Sequence, residues 1–434
     1  MIVEDRISNW VESYDRNGYL NGSILISYNE EILLNKGFGM ANWEHNVPNL
    51  PTTKFRIGSL TKSFTAMCIF QLHEKQKLNI NDYVGKYLPN YPNGDQITIY
   101  HCLTNSSGIP NYTSFPDFWP RTMRLPSTLN QLIDSFKERE LDFEPGSKFG
   151  YSNSGYTLLT AIIETVSGKS YTDYIQKQIC HPLGMYNTGC DDGIKVVPGL
   201  ASGYSFWEGP IHSPYADMSF PLGAYGLYST TEDLYIWDKA LRSSEMLSKE
   251  LKQKMFTPNL GSYACGWMIA EMVDRSCVHH YGDISGFSSE VLGFVDDQVT
   301  IIFLSNMNVT PVTHLSQEIA KIIFGENVSL PFPAVPIPFA NIKYIEGAYL
   351  IGNDEDKFLG ISVTNEELYL TVPKMYGAMY KFKLVPVSHD AIKTTFVTEL
   401  ISEQVIFYYS PSGEIESVQY IDYYGKRYSV NKKR

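Results

Sequence analysis

The 434-residue sequence predicts a mixed α/β domain followed by a small all-β domain. Three observations carry this reading. Residues 330–339, LPFPAVPIPF, are rich in proline; proline can neither continue a helix nor sit in a central strand, so this stretch is an extended connector. Before it, helical and strand patterns mix, and after it apolar residues recur at every second position. Hydrophobic residues make up 43% and charged residues 19%, which suits a chain with a buried core and excludes a disordered or collagen-like one.

The elements follow in order. Residues 23–35, SILISYNEEILLN, read as a hairpin, two apolar β-branched runs around a polar turn at Asn29-Glu30. Residues 59–77 read as a helix from Phe64, Met67, Cys68 and Leu72. Further helices are expected at 155–168 and 231–243, the second entered through Thr230-Thr231-Glu232-Asp233, a capping-box pattern with Asp in the Glu position. Residues 290–305 read as a second hairpin turning at Asp296-Asp297. Beyond the connector, Leu359, Ile361 and Val363 alternate with polar neighbours, as do Leu368, Leu370 and Val372, then Tyr380, Phe382 and Leu384, then Val405, Phe407 and Tyr409. Turn signals at Asn365 and Pro411-Ser412-Gly413 separate the runs. This period of two describes a barrel or sandwich with one buried face. The aromatics Tyr376, Tyr380, Phe407, Tyr408 and Tyr409 are expected in its core and wall.

The net charge is −12, and nearly all of the excess acidity lies before residue 341. Phosphate-backbone binding needs a basic stripe, so nucleic acid is excluded as a partner. No run of ~18 apolar residues is present, so no membrane span is expected. The start, MIVEDRISNWVESYDRNG, lacks the basic-then-apolar pattern of a signal peptide. The chain is expected in the cytoplasm, or secreted if a leader has been removed. The six cysteines form no CxxC pair and are expected as core thiols in a reducing compartment. There is no G-x-S-x-G, Walker loop or HExxH, so neither a nucleophile elbow nor a P-loop nor a metal site is expected, and no cofactor is implied.

What remains is a serine–lysine pair. In Gly58-Ser59-Leu60-Thr61-Lys62, at the start of a helix, the i, i+3 spacing puts Ser59 and Lys62 on one face. Serine is a poor nucleophile without an adjacent base, and a lysine that loses its proton through burial can be that base. Helix-terminal N–H groups favour a developing oxyanion. The same S-x-x-K spacing recurs at Ser429–Lys432 in the tail, and a helix-capping serine with a solvated lysine is the alternative reading. Two further elements accompany the pair. Tyr151-Ser152-Asn153 offers a phenol to shuttle a proton and an amide to orient a carbonyl. His280-Tyr281-Gly282 leads through Asp283 into Gly286-Phe287-Ser288-Ser289.

Together, S-x-x-K at 59, Y-x-N at 151 and H-x-G at 280 resemble the serine β-lactamase and penicillin-binding-protein-like hydrolases, in their class C-like branch. The segments FRIGSLTKSFTA, ITIYHCLTNSSGIPNY, FEPGSKFGYSNSGYTLLTAIIETVSGKSY and GAYGLYSTTEDLYIWDKAL extend the resemblance over roughly residues 15–325. It implies a β-lactamase/transpeptidase-like fold, an antiparallel sheet flanked by helices plus an all-helical region. The division it implies is a hydrolase domain at 1–328, a connector at 329–340 and a β-barrel at 341–434, the last resembling the lipocalin-like domain appended to some peptidase members. Ser59 would be the acylated nucleophile, Lys62 its base, and Tyr151 the proton carrier to the leaving group and the deacylating water. Asn153 would bind the substrate amide or ester, His280 and Gly282 would line the strand beside the scissile bond, and the N–H groups of Ser59 and Asp283 would form the oxyanion hole.

The sequence departs from β-lactamases at the third motif. Histidine stands where the family has a lysine that attracts the β-lactam carboxylate, and histidine is mostly neutral at pH 7. Tyr281 is bulky, and Asp283 adds negative charge. The expected activity is therefore peptidase, on peptides with D-residues, or esterase, acting through an acyl-enzyme at Ser59. The alternatives are a β-lactamase and a low-turnover penicillin-binding sensor or scaffold. The partner is a small-molecule or peptide substrate, and a homo-oligomer is compatible with the sequence.

Overall fold

The computed structural model describes residues 3–243, 246–339, 344–351, 358–374 and 378–433. Its centre is a six-stranded antiparallel sheet. In chain order the strands are β1 (Gly22–Tyr28), β2 (Glu31–Phe38), β3 (Met268–Met272), β4 (Arg275–Ile284), β5 (Phe287–Phe294) and β6 (Val299–Ser305), arranged β3-β4-β5-β6-β1-β2. Both expected hairpins are present. Asn29 and Glu30 take positive φ of 50° and 66°, which gives a two-residue turn the twist that suits a hairpin. Strands from the two ends of the chain meet in the middle, with Ile24 opposite Phe303 and Ile26 opposite Ile301.

The sheet is covered on both faces, which explains its apolar runs. Ile24, Ile26, Phe294 and Phe303 point to one side, where helix α1 (Val3–Arg16) and a C-terminal helix (Val312–Ile323) bury Ile7, Trp10, Leu315 and Ile319. Neither helix was signalled by the periodicity considered above. Glu318 holds them together by accepting from Trp10 Nε1 at 3.1 Å and Tyr14 OH at 2.6 Å. Leu25, Val291, Ile302 and Leu304 point to the other side, into the larger core. There α2 (Thr61–Glu74) is buried on every side over its first three turns, so it runs through the domain interior rather than over its surface. Beside it lies α3 (Asn153–Ser167), and α4 (Thr231–Arg242) follows a short strand at Leu227–Ser229. Thr230 caps α4, its side chain accepting from Asp233 N at 3.1 Å. The reciprocal half of the expected capping box is absent, because the Asp233 carboxylate is taken by Asn187 N and Thr188 Oγ1, each at 2.8 Å.

After the connector the chain closes into an eight-stranded antiparallel barrel, β7 (Gly347–Ile351), β8 (Phe358–Thr364), β9 (Glu367–Pro373), β10 (Met379–His389), β11 (Lys393–Thr398), β12 (Gln404–Tyr409), β13 (Ile415–Ile421) and β14 (Arg427–Lys432). The alternating residues Leu359, Ile361, Leu368, Leu370, Phe382, Val405 and Phe407 fill its interior. Closure pairs Tyr349 with Lys432 and removes the open edges that would invite aggregation. Tyr376 and the predicted boundary at 340–341 lie outside the described residues. The barrel rests on the first domain through the stacked rings of Phe206 and Phe382, 5.6 Å apart, and a bond from Tyr19 OH to Thr398 O at 3.1 Å. No helix among the described residues is long and apolar enough to cross a membrane.

Candidate active site

The first two motifs meet where α2, α3 and the strand β4 converge. Ser59 sits in a 3-10 turn, Gly58–Leu60, immediately before α2. The turn is anchored from behind, since Ile57 N donates to Leu227 O at 2.9 Å. In front, the backbone of β4 presses against it. A Cβ on Gly282 would lie 2.1 Å from Ile57 O and 2.7 Å from Ser59 N, so only glycine allows the strand this close. Ser289 Oγ lies 2.8 Å from Ile57 O and 3.1 Å from Gly282 O, tying turn and strand together.

Lys62 is 0% exposed, and its Nζ lies 3.0 Å from Ser59 Oγ, 2.7 Å from Asn153 Oδ1 and 2.7 Å from Ala224 O. All three partners are uncharged, so nothing offsets the desolvation of an ammonium, and burial pushes the lysine well below its ordinary value. The Tyr151 and Tyr156 rings, 4.9 and 5.4 Å away, soften that penalty without removing it. A neutral amine has two N–H donors and one lone pair. With Asn153 Oδ1 and Ala224 O taking the donors, the lone pair is left for the Ser59 hydroxyl. Tyr151 OH donates to Ser59 Oγ from the other side at 2.9 Å. The helix-capping alternative does not describe this arrangement: no side chain caps the turn or α2, and Lys62 is buried rather than solvated.

Asn153 opens α3 and is held by its own neighbours, its N–H by Asn111 Oδ1 and its Nδ2 by Thr113 Oγ1, both at 3.1 Å. His280 is 1% exposed and lies behind the strand, outside the walls of the cavity. Its Nδ1 is 2.6 Å from Tyr281 O, a group that can only accept, so Nδ1 carries the proton and Nε2 accepts from Tyr263 OH at 3.2 Å. Burial, and then the nearby Lys62, lower it to about 3, so His280 is neutral at any ordinary pH. Tyr281, not His280, faces the cavity.

Asp283 follows directly. Its Oδ1 accepts from Ser288 Oγ, whereas its Oδ2 is shut off from solvent with no hydrogen-bond partner, an arrangement that typically costs about 1–3 kcal/mol or more for a charged group. Burial raises this carboxyl to about 6, the Ser288 bond opposing the shift and Glu290 adding to it.

Ser59, Tyr151 and Asn153 open into a cavity of about 340 Å³. Phe118, Met123, Phe220 and Tyr225 make its apolar wall, and Asp217 and Asp283 its acidic groups. A second cavity of about 410 Å³ shares Trp119, Met123, Asp283, Ile284 and Ser285 with the first, and Ala378, Met379 and Tyr380 of the barrel also line it. Composition and motif spacing carried no sign of these walls. Asn111, Ala224 and Tyr225 do fall inside two of the segments quoted above, which is the one signal that pointed to them. Among the described residues no group of three His, Cys, Asp or Glu side chains is placed to hold a metal ion.

The profile of the family described as Beta-lactamase matches residues 7–323. Penicillin-binding protein 4* of Bacillus subtilis (strain 168) is 30% identical over 420 residues, covering 89% of this chain and 90% of its own length. Among solved structures, the octameric penicillin-binding protein homologue from Pyrococcus abyssi is 28% identical with a TM-score of 0.65, covering 99% of this chain and 100% of that one. The D-stereospecific amidohydrolase from Streptomyces sp. has a TM-score of 0.62 at 24% identity, over 75% of this chain and 99% of that one, a likeness of fold.

Proposed function

The chain belongs to the Beta-lactamase family of serine hydrolases, and from that premise we propose that it hydrolyses amide or ester bonds through an acyl-enzyme at Ser59. The observation that carries this is the position of Ser59 Oγ between Lys62 Nζ at 3.0 Å and Tyr151 OH at 2.9 Å. Neutral Lys62 takes the Ser59 proton as Oγ bonds to the substrate carbonyl carbon. The carbonyl oxygen becomes an oxyanion against the N–H groups of Ser59 and Asp283, donors of a kind worth about 3 kcal/mol each in barrier height. Tyr151 gives a proton to the leaving nitrogen or oxygen as its bond to carbon breaks, and is restored from Lys62. For deacylation neutral Lys62 takes the phenol proton of Tyr151, the phenolate takes a proton from the water as that water attacks the acyl carbon, and the Lys62 ammonium returns a proton to Ser59 Oγ as its bond to the acyl carbon breaks. Asn153 orients the substrate amide or ester, and Gly282 keeps strand β4 beside it. In this reading residues 1–328 are the hydrolase, 329–340 the connector and 341–434 a barrel whose Ala378–Tyr380 segment narrows the approach to the site.

A fluorophosphonate probe is expected to label Ser59, and Ser59→Ala to abolish labelling; a folded protein labelled elsewhere or not at all refutes the assignment. Among substrates, amides and esters rank above β-lactams. No Lys, Arg or His is among the described residues lining the first cavity, and Asp217 and Asp283 are, so a β-lactam carboxylate meets no counter-charge. Turnover of p-nitrophenyl esters and D-amino-acid anilides is expected to exceed that of nitrocefin, and fast nitrocefin hydrolysis would reverse the order. The kinship with penicillin-binding protein 4* favours one other reading, a protein that is acylated by penicillin and barely turns over. Slow release of a covalent adduct, with no panel substrate hydrolysed, would establish it. The Pyrococcus abyssi homologue is octameric, and sedimentation velocity is expected to show an assembly larger than the 49.3 kDa chain.

A further inference from the structure

We infer that the buried Lys374–Glu403 ion pair of the barrel is a positioning pair for the hydrolase. It fixes Met379 and Tyr380 in the wall of the second cavity, and through them it sets how well the enzyme accepts acyl groups long enough to reach that cavity. This deepens the acyl-enzyme reading and rests on it.

The pair lies deep in the barrel, where the Glu403 side chain is 0% exposed. Its Oε1 accepts from Lys374 Nζ and its Oε2 from Tyr420 OH at 2.8 Å, while Lys374 Nζ also donates to Tyr420 OH at 3.1 Å. The Tyr423 ring lies 5.3 Å from the same ammonium. Replacing a buried ion pair by apolar side chains of similar volume is often neutral or stabilising, so stability alone does not account for it. What the pair supplies is a directional contact between two particular segments.

Glu403 closes the turn between β11 and β12, its N–H donating to Thr398 Oγ1 at 3.2 Å and its carbonyl accepting from Thr398 N at 3.1 Å. That turn is seated on the hydrolase domain. Thr398 O accepts from Tyr19 OH, and Leu400 and Ile401 line a small crevice with Tyr14 and His314. Lys374 follows the end of β9, where Val372 and Pro373 pair with Tyr380 and Met379, and Lys374 N donates to Ala378 O at 2.8 Å. The ion pair therefore ties a turn held by the hydrolase domain to the strand ends that wall the second cavity. On the other side of Tyr380, the Lys381 carbonyl accepts from Glu208 N at 2.8 Å.

The chemistry decides which part of the substrate meets this wall. With the carbonyl carbon at Ser59 Oγ, the leaving group lies toward its proton donor Tyr151, which lines the first cavity and not the second. The acyl group takes the remaining direction, past Asp283–Ser285, the segment that both cavities share. Beyond it Phe287, Met379 and Tyr380 offer apolar surface. An acetyl group ends in the first cavity, and a phenylalkanoyl group reaches the second.

The test compares p-nitrophenyl 4-phenylbutanoate with p-nitrophenyl acetate, which share a leaving group. In Lys374→Met/Glu403→Gln no buried charge is left unpaired and Tyr420 keeps an acceptor, so the fold is retained. This variant is expected to lower kcat/KM for the phenylbutanoate about 10-fold, chiefly through KM, and to leave the acetate within about 3-fold of wild type. An unchanged ratio of the two, or an equal loss on both, overturns the inference. Tyr380→Ala is expected to lower the same ratio about 10-fold by itself, and because the pair acts through Tyr380, the triple variant should lose little more than either parent. Losses that multiply to about 100-fold overturn the inference. If the fluorophosphonate probe does not label Ser59 and neither ester is turned over, the acyl-enzyme reading fails and takes this one with it. Turnover of both esters with a ratio indifferent to the pair defeats this inference alone.

Discussion

Lys62→Met is expected to lower kcat/KM for p-nitrophenyl esters by about 100- to 10,000-fold, the range in which a positioned general base acts, while the protein remains folded. Methionine has nearly the length of lysine and suits an apolar surrounding, but it cannot accept the Ser59 proton. The pH profile separates this role from a packing role. Wild-type kcat/KM is expected to rise with pH as Lys62 loses its proton and to level off once it is neutral. Because burial holds the lysine well below its ordinary value, that limb lies on the acid side of 10.5. In Lys62→Met the limb assigned to this residue should vanish.

Stability carries an independent signature. In the unfolded chain Lys62 titrates near 10.4, and in the folded protein burial lowers it. Between the two values the unfolded chain holds the extra proton, so unfolding free energy rises with pH across that window, by up to about 1.4 kcal/mol per pH unit from this group. Below the folded value both states are protonated and the slope disappears. Urea denaturation of wild type and Lys62→Met at two pH values inside the window should show the wild type gaining on the variant as pH rises. Parallel curves would mean that Lys62 is charged in the folded protein.

The second large effect is expected from Gly282→Ala. Its Cβ would enter to 2.1 Å from Ile57 O and 2.7 Å from Ser59 N, both backbone atoms, so no side chain can move aside. Either β4 or the Gly58–Leu60 turn must shift. Overpacking of this kind costs about 1–3 kcal/mol in stability, visible as a lower melting temperature. The larger effect falls on chemistry, because the shift separates the N–H groups of Ser59 and Asp283; displacement by 1 Å can cost about 100-fold in rate. A variant that melts lower but keeps kcat/KM within a few-fold of wild type would show that β4 does not define the oxyanion site.

The legibility of the sequence tracks the range of the interactions. The hairpins at 23–35 and 290–305 were readable because apolar runs and the polar turn between them are local. So was the barrel, where Leu359, Ile361, Leu368 and Leu370 repeat with the pleat. The N-terminal helix and the helix at 312–323 were not, since their stability comes from burying Trp10 and Leu315 against a sheet built of distant strands. The Asp233 half of the cap on α4 could not be foreseen either, because Asn187 and Thr188, far away in sequence, claim its carboxylate.

The same division runs through the site. The sequence alone determined the family resemblance, the i, i+3 approach of Ser59 and Lys62, and the departure of the third motif from a cationic residue, all of them properties of short segments or of their order. Only the tertiary structure decided that Lys62 has three uncharged partners, that His280 turns away from the cavity, that Gly282 is required by backbone contact with Ile57 and Ser59, and that Asp283 keeps an oxygen without a donor. It also decided that Met379 and Tyr380, from the far end of the chain, help wall the second cavity. Desolvation, close approach and unmet hydrogen bonds depend on which distant atoms surround a group, and residue spacing along a chain does not carry that information.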